Sequence, residues 1–357
     1  MRINVTKTFL PPIEEYHELL EEIWDSRWVT NRGKLVRRLE SELREYLAVE
    51  DLLCVNNGTI AIQLAIRALD LKGEIVTTPF SYVATTSSIV WENCVPVFAD
   101  IDADTLTIDP EKIEEAISPQ TCAIIATHVF GNPCDVEAIR KIAARHGLKV
   151  IYDAAHCFGV EYKGESILNW GDISTLSFHA TKLFHTGEGG AVICKDPDVA
   201  SRVYYMHNFG HKGPEDFQGL GINGKMSELQ AAMGLALLPH LGAVMEGREV
   251  ACKRYDSMLT FDGFRKQGFQ KEAVSNFSYY PIIFGSQSDL LKVINRLRAK
   301  EVYPRRYFYP SLDSLPYVHC STELKISREV SENILCLPLY HDLTPEDQEL
   351  ICSAVNT

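Results

Sequence analysis

The sequence has no cysteine motif. Its ten cysteines are scattered singly and no two are spaced as C-x-x-C, which argues against a metal site or a redox-active pair. Most stand among apolar residues, as Cys54, Cys122, Cys194 and Cys336 do. We therefore expect buried thiols in a reducing compartment, with neither disulfides nor a bound metal.

Long apolar runs are also missing. No stretch approaches the roughly 18–20 apolar residues that span a bilayer. The first residues, MRINVTKTFLPPIEEY, reach a proline pair and a glutamate pair without the apolar core of a secretion signal. The pattern predicts a cytoplasmic protein that does not enter a membrane.

An excess of positive charge is absent as well. The chain of 357 residues has 35 Lys and Arg against 48 Asp and Glu, a net charge of −13 at pH 7. Such a surface argues against nucleic acid or an anionic membrane as the main partner. It still leaves room for a local basic pocket that binds a phosphorylated small molecule.

From about residue 50 the sequence alternates between short apolar runs and helical periodicity. The predicted strands are 74–80, 95–101, 122–130, 148–155, 173–178 and 190–195. Helices are predicted at 36–47, 109–117 and 134–147. Near-continuous apolar strands that alternate with helices predict an α/β fold, with a mostly parallel sheet covered by helices on both faces.

The last third of the chain has a different pattern. Long helical structure is predicted over 225–259, then a strand over 276–284 and helices at 288–300 and 345–355. This order predicts a smaller C-terminal α+β domain. We expect a large α/β domain with an N-terminal arm at 1–245 and the small domain at 246–357.

In such a sheet, ligands bind beyond the carboxyl ends of the strands, and three segments lie there. VNNGTIAIQLAIRAL places Gly58 and Thr59 at the start of a helix, where free N–H groups favour a phosphate, although a helix start without a ligand fits too. VIYDAAHCFG places Asp153 at a strand end, three residues before His156, either as a functional carboxylate or as a helix cap. SFHATKLFHTGEGGAVI places Lys182 between two apolar strands, as a reactive, a phosphate-binding or a solvated lysine.

Together the three segments fit one chemistry. A phosphate-binding turn, an acid for a ring nitrogen and a reactive amine are what pyridoxal 5′-phosphate requires of its protein. His156 would then have a place on the face of the cofactor ring. On this hypothesis Lys182 is where it is because it must reach a buried aldehyde.

Over nearly its whole length the chain resembles the DegT/DnrJ/EryC1/StrS family of pyridoxal-phosphate-dependent nucleotide-sugar aminotransferases. The ordered segments that carry the resemblance are WVTNRG, NNGTIAIQLAI, TTPFSYVATTSSI, VPVFADID, THVFGNPCDVEAI, VIYDAAHCFG, SFHATKLFHTGEGGA, GINGKMSELQAAMG and ILCLPLYHDLT. The resemblance implies the fold-type I architecture of aspartate aminotransferase.

The resemblance also implies roles for individual residues. Lys182 is expected to be the catalytic Schiff-base lysine, and Asp153 the partner of the pyridine nitrogen. The other cofactor contacts expected are Tyr82 and His156 against the ring, Gly58, Thr59 and Ser177 at the phosphate, and Asn223 at the phosphate of a neighbouring subunit. A residue that acts across subunits implies a homodimer with shared active sites.

Three segments depart from the family pattern. Gly224 and Lys225 follow Asn223 where an arginine is usual, Arg32 and Lys34 stand where small residues or proline are commoner, and His185 replaces a frequent asparagine. These positions bear on substrate contacts and not on the cofactor. The candidate substrate residues are Asn31, Arg32 and His185.

The reaction that the resemblance implies has two halves. L-glutamate gives its amino group to the cofactor, leaving pyridoxamine 5′-phosphate, and a keto nucleotide sugar then receives it. Several segments look most similar to enzymes that aminate dTDP-4-keto-6-deoxy-D-glucose at C-4, which gives dTDP-4-amino-4,6-dideoxy-D-glucose for O-antigen or another glycan.

Four alternatives stay open at this stage. The first is an aminotransferase that acts at C-3 of a 3-keto sugar, and the second is one that acts on a UDP-sugar. The third is a 3-dehydrase of the same fold, in which histidine replaces the Schiff-base lysine. A sugar-nucleotide sensor on the same scaffold would need no Lys182 and Asp153 pair. The presence of both residues favours the aminotransferase.

Overall fold

The computed structural model describes residues 2–320 and 322–356. The strands within them are β1 (Ile3–Asn4), β2 (Leu53–Val55), β3 (Glu74–Thr77), β4 (Val95–Phe98), β5 (Thr121–Thr127), β6 (Lys149–Asp153), β7 (Glu161–Tyr162), β8 (Glu165–Ser166), β9 (Ile173–Ser177), β10 (Gly190–Cys194), β11 (Phe264–Lys266), β12 (Ala273–Val274), β13 (Tyr280–Phe284), β14 (Val302–Tyr303) and β15 (Ile334–Leu337). The helices are α1 (Ile13–Ser26), α2 (Lys34–Leu47), α3 (Gly58–Ala68), α4 (Val83–Trp91), α5 (Pro110–Ala116), α6 (Val136–His146), α7 (Pro197–Met206), α8 (Glu228–Leu237), α9 (Leu241–Met258), α10 (Gln287–Ala299), α11 (Lys325–Asn333) and α12 (Pro345–Val355).

Seven of these strands form the central sheet, in the order β2-β10-β9-β6-β5-β3-β4. The ladders from β4 through β3, β5 and β6 to β9 are all parallel. β10 runs antiparallel to both of its neighbours. The observed sheet confirms the predicted α/β class with a mostly parallel sheet.

Apolar side chains project from both faces of this sheet. In β5, Ala123 and Ile125 join one apolar cluster, while Ile124 and Ala126 join another. Helices α2 and α6 cover the second of these faces, and α3 and α7 cover the first. A strand that is buried on both sides reads as a continuous apolar run, which is why the pattern predicted these strands.

The strands of the large sheet end one to three residues earlier than predicted. β6, for example, ends at Asp153, which pairs with Thr127 and Thr175 at the end of the neighbouring strands. Beyond these ends, apolar residues such as Phe80 and Phe130 pack in a further cluster with residues from the C-terminal part of the chain. Their burial, and not strand pairing, explains the longer apolar runs in the sequence.

The helical run predicted over 225–259 is two helices, α8 and α9, joined by one 3-10 turn at Leu238–His240. α8 begins with a capping box in which Ser227 and Gln230 bond reciprocally. By length and composition the run Glu228–Met258 would suffice to cross a membrane, but 50% of its most apolar window is buried within the chain. This burial is typical of a core helix.

Helices α9, α10 and α12 share an apolar cluster with the C-terminal sheet β11-β13-β15. β13 begins four residues later than the predicted strand 276–284, because Phe277 has a φ of 52° that interrupts the extended backbone. α9 crosses the predicted boundary at 245/246, and β1 pairs with β14. The division into 1–245 and 246–357 therefore stays a prediction.

Candidate active site

A cleft lies at the carboxyl ends of the parallel strands and encloses about 970 Å³, including space that is open to solvent. Most of the predicted cofactor residues line it, although they come from four separate segments of the chain. They are Gly58, Thr59, Tyr82, Asp153, His156, Ser177 and Lys182. The strand order brings these segments together, because parallel strands end at one edge of a sheet.

Asp153 ends β6 and its carboxylate is held by a chain of hydrogen bonds. Thr85 Oγ1, in α4, donates to Asp153 Oδ2 at 2.7 Å, and the backbone N–H of Ala155 donates to Oδ1 at 3.2 Å. Ser81 Oγ lies 2.9 Å from the hydroxyl of Thr85 and 2.9 Å from that of Thr127. The carboxylate is thus oriented from two sides and retains lone pairs for a further donor.

Burial raises the pKa of Asp153, whereas the hydrogen bonds from Thr85 and Ala155 and the charge of Lys182 lower it. A cationic N–H donor in the cleft would stabilise the ionised carboxylate further. The arrangement suits an acidic partner for a protonated ring nitrogen.

Lys182 lies in the loop between β9 and β10, and ring contacts of Phe184 hold that loop in place. The ring of Phe184 stacks on Phe158 with centroids 4.7 Å apart and meets Phe178 edge-on at 4.8 Å. The backbone N–H of Lys182 donates to the carbonyl oxygen of His179 at 2.8 Å. The buried Phe184, two residues after the lysine, therefore helps to hold its backbone at the cleft.

Burial lowers the pKa of Lys182 to about 8, the carboxylate of Asp153 opposes this change, and the charge of Arg305 adds to it. An amine with this pKa is partly neutral near neutral pH, when it can act as a nucleophile and a base.

The N-terminus of α3 forms another corner of the cleft. The side chain of Asn57 caps this helix by accepting from the backbone N–H of Ile60 at 2.9 Å. The N–H groups of Gly58 and Thr59 precede that bond and face no carbonyl of their own helix. A Cβ on Gly58 would lie 2.9 Å from Cβ of Ser177, so glycine lets the helix start approach β9 and makes a cradle suited to a phosphate.

His156 and Tyr82 differ in how firmly they are held. His156 Nδ1 accepts from the backbone N–H of Phe130 at 3.1 Å, and its ring is nearly parallel to those of Phe130 and Phe308. Burial and the charge of Lys182 lower the pKa of His156 well below its usual range, so its ring is neutral. Tyr82, just before α4, is exposed and free to adjust to a ligand.

Four predicted residues do not line the cleft of their own chain. Asn223 is exposed and pairs with Asn208 in an isolated β-bridge. Asn31 is exposed with a φ of 61°. The other two are Arg32 and His185.

Arg32 forms an ion pair of 2.7 Å with the buried Glu40. His185 is buried, and its Nε2 donates to the carbonyl oxygen of Phe9 at 2.7 Å. Both side chains thus have partners inside the protein. Substrate contact by Asn31, Arg32 and His185 stays a prediction.

Sequence reasoning missed two groups of cleft residues. The first is the hydroxyl chain of Ser81, Thr85 and Thr127 behind Asp153, for which the hydroxyl-rich segment TTPFSYVATTSSI was the available signal. The second, here called the C-terminal wall, has no motif that assigns it to the cleft, although Tyr279 lies in the predicted strand 276–284. It consists of Tyr279, Arg305, Tyr307 and Phe308.

Comparison with known proteins gives one consistent picture. The model of the DegT/DnrJ/EryC1/StrS aminotransferase family matches residues 12–356. A dTDP-4-amino-4,6-dideoxy-D-glucose transaminase of Shigella dysenteriae is 44% identical over 99% of this chain and 98% of its own. One of the same name from Escherichia coli is 39% identical over 96% and 95% of the two chains. A GDP-perosamine synthase of Caulobacter vibrioides is 31% identical over 99% and 98%.

Solved structures have the same fold. DesI, crystallised in the presence of its TDP-sugar product, superposes with a TM-score of 0.94 at 31% identity, over 99% of this chain and 92% of its own. NtdA from Bacillus subtilis with bound cofactor PMP superposes with a TM-score of 0.89 at 27% identity, over 96% and 81% of the two chains.

Proposed function

Because this chain belongs to the DegT/DnrJ/EryC1/StrS aminotransferase family, we propose that it moves the amino group of L-glutamate to C-4 of dTDP-4-keto-6-deoxy-D-glucose. The product is dTDP-4-amino-4,6-dideoxy-D-glucose. As a member of the family, the chain is a fold-type I, pyridoxal-phosphate-dependent sugar aminotransferase. What we propose beyond family membership is the identity of the nucleotide, of the carbon that is aminated and of the amino donor.

One observation carries the choice of substrate. The two relatives named for dTDP-4-amino-4,6-dideoxy-D-glucose align with nearly the whole chain at 44% and 39% identity. The GDP-perosamine synthase aligns over a similar length at 31%. A dTDP-linked sugar is therefore favoured over a GDP-linked one.

The residues of the cleft fit pyridoxal phosphate. Gly58, Thr59 and Ser177 form a cradle for its phosphate, Asp153 offers a buried, oriented carboxylate for its ring nitrogen, and Lys182 offers an amine. When bound, the cofactor supplies an aldehyde that takes up an amine and a protonated ring that withdraws electrons.

Asp153 has one task in this scheme, which is to hold a proton on the ring nitrogen. Thr85 and Ala155 keep its carboxylate turned in one direction. His156 and Tyr82 would pack against the ring, His156 as a neutral imidazole. A neutral imidazole there adds no positive charge that would oppose the proton on the ring nitrogen.

Lys182 carries protons in both halves of the reaction. Its pKa of about 8 leaves roughly one amine in ten unprotonated at pH 7, so that it can remove a proton from the α-carbon of the donor. The same amine, once protonated, would give that proton to the carbon that carries the aldehyde of the bound cofactor. Donor and sugar occupy one cleft in turn, which predicts ping-pong kinetics.

We propose further that the active unit is a homodimer in the cytoplasm. Asn223 is exposed in its own chain and absent from its own cleft, as expected if it reaches the phosphate of a second copy. The ten cysteines are all unpaired, which suits a reducing compartment.

The substrate is tested by incubating the enzyme with L-glutamate, pyridoxal phosphate and a panel of keto sugar nucleotides, with NMR identification of the product. The panel holds dTDP-, UDP- and GDP-linked 4-keto-6-deoxy sugars and a dTDP-linked 3-keto sugar. We expect amination of the dTDP-4-keto sugar at C-4. Preferred turnover of any other member would refute the substrate, and no amination at all would refute the reaction.

The shared site is tested with a mixed dimer of Lys182→Ala and Asn223→Ala chains. If Asn223 acts across the interface, one site carries both changes and the other carries neither, so about half of the wild-type activity per dimer should remain. If Asn223 serves its own chain, every site is damaged. Activity no higher than the share of Asn223→Ala alone would refute the shared site.

A further inference from the structure

Arg305 stands at the cleft without a partner for its charge. Its backbone is fixed, since its N–H and carbonyl oxygen both bond Cys336 of the buried strand β15, at 3.2 and 2.8 Å. Its guanidinium lies 4.5 Å from the centroid of Tyr307 and has no ion pair or side-chain hydrogen bond within residues 2–320 and 322–356. The backbone of Arg305 is therefore held in place, and its side chain is free to bind a ligand.

The next residue shows the contrast. Arg306 donates from Nη2 to the carbonyl oxygen of Glu332 at 2.9 Å, and its guanidinium lies 3.6 Å from the centroid of Tyr309. Arg306 does not line the cleft. Of two adjacent arginines, one has a structural role and the other faces the reaction site.

The charges of the cleft limit what Arg305 can bind. The residues that line it include two acids, Asp153 and Glu188, and two bases, Lys182 and Arg305. Lys182 and Asp153 have tasks toward the cofactor. Glu188 is exposed and lies 3.6 Å from His179. Arg305 is thus the strong cation of this cleft that remains for an anionic substrate.

We propose that Arg305 binds the α-carboxylate of the amino donor; this inference rests on the proposed function, which makes an α-amino acid the donor. The planar guanidinium matches a carboxylate with two parallel hydrogen bonds. The ring of Tyr307, whose centroid lies 4.5 Å from the guanidinium, supports it from the C-terminal wall.

The diphosphate of the nucleotide sugar is the competing anion, and position separates the two. Arg305 and Lys182 line the same cleft, and the charge of Arg305 contributes to the lowered pKa of Lys182. The carboxylate of an amino acid is bonded directly to the carbon that reacts. In a sugar aminated at C-4 the diphosphate is attached across the ring, at C-1, and lies farther from Lys182.

The experiment compares the two half-reactions of the holoenzyme. The donor half is followed by the absorbance of the cofactor after L-glutamate is added, and the acceptor half after the nucleotide sugar is added to the pyridoxamine form. Binding of glutarate, an unreactive dicarboxylate, is measured by calorimetry. The variants are Arg305→Gln, Arg305→Lys and the control Arg306→Gln, each checked by thermal unfolding.

For Arg305→Gln we expect the apparent dissociation constants of glutamate and glutarate to rise about tenfold to a hundredfold, as for a lost charged hydrogen bond. The constant for the nucleotide sugar should change by less than about threefold. Arg305→Lys keeps the charge but not the planar pair of donors, so its dissociation constants for glutamate and glutarate should lie between those of the wild type and Arg305→Gln. It replaces Arg305→Gln if that variant does not fold. Arg306→Gln should leave both half-reactions unchanged.

Unchanged glutamate binding in Arg305→Gln or Arg305→Lys would overturn the proposal. If only the dissociation constant of the nucleotide sugar rises, Arg305 binds the diphosphate, and the proposal is overturned. If the constants of both substrates rise equally, Arg305 contributes only to the general charge of the cleft, and the proposal is overturned as well. Failure of the proposed function is distinguishable, because the wild-type enzyme would then show no donor half-reaction with glutamate.

Discussion

The two sides of the cleft are held in place by different interactions. The sheet-edge wall, made of Gly58, Asp153, Ser177 and Lys182, follows the strands, and hydrogen bonds from two sides orient its carboxylate. The C-terminal wall is held by ring contacts, such as that between Tyr279 and Tyr307 at 5.5 Å. Within the described residues its side chains make no hydrogen bond.

This difference fits the tasks of the two walls. Hydrogen bonds are directional and fix the position of an atom, as a resident cofactor requires. Ring contacts tolerate small shifts, and an unpaired guanidinium remains available, as substrates that enter and leave in turn require. We expect damage to the sheet-edge wall to stop the chemistry, and damage to the C-terminal wall to alter substrate binding.

Lys182→Ala should have the largest effect. The variant loses both the covalent attachment and the proton carrier, so we expect steady-state turnover to fall by more than about a thousandfold with the fold intact by circular dichroism. Turnover within about tenfold of the wild type would contradict the role of Lys182 and remove the contrast between the walls.

Asp153→Asn should come next. The amide occupies the same volume but cannot hold a proton on the ring nitrogen, so the donor half-reaction should slow by at least about a hundredfold while cofactor still binds. Stopped-flow absorbance with L-glutamate measures this rate. A normal rate would mean that Asp153 only shapes the end of β6.

Thr85→Val removes one hydrogen bond to the Asp153 carboxylate, and we expect a loss of about tenfold in the donor half-reaction. That bond lowers the pKa of Asp153 against the effect of burial. Without it the pKa rises further, and the acidic limb of the pH–rate profile should move to higher pH.

A matched control lies one residue away. The hydroxyl of Thr86 is buried and has no hydrogen-bond partner, so Thr86→Val in the same helix should change neither the rate nor the pH profile. An equal loss in both variants would show that the effect comes from packing in α4 and not from the bond to Asp153.

Tyr279→Phe should have the smallest effect. Its ring lies 4.7 Å from that of His156, and phenylalanine keeps this contact while removing a hydroxyl without a partner among the described residues. We expect kcat/KM for both substrates to stay within about threefold of the wild type. A tenfold loss for either would show that the C-terminal wall binds that substrate through this hydroxyl.

Local patterns were sufficient for the sheet-edge wall. Asp153, Lys182 and Gly58 each follow a strand, and apolar runs mark strands in a sheet that is buried on both faces. Once the order of strands and helices predicts a parallel sheet, their carboxyl ends must meet at one edge. The prediction stopped at the hydroxyl chain behind Asp153, because it depends on how α4 turns Thr85 toward β6.

The sequence by itself determined the α/β class, the helix Pro345–Val355 and the places of Asp153 at the end of one strand and Lys182 after another, since each depends on residues close together in the chain. Only the tertiary structure decided that Arg305 lines the cleft with Lys182 while Arg306 bonds Glu332. That choice depends on the pairing of Arg305 with Cys336 and on the packing of the C-terminal segment over the cleft. Contacts between segments so distant leave no periodicity in the sequence, because each partner satisfies its local pattern whether or not the other is present.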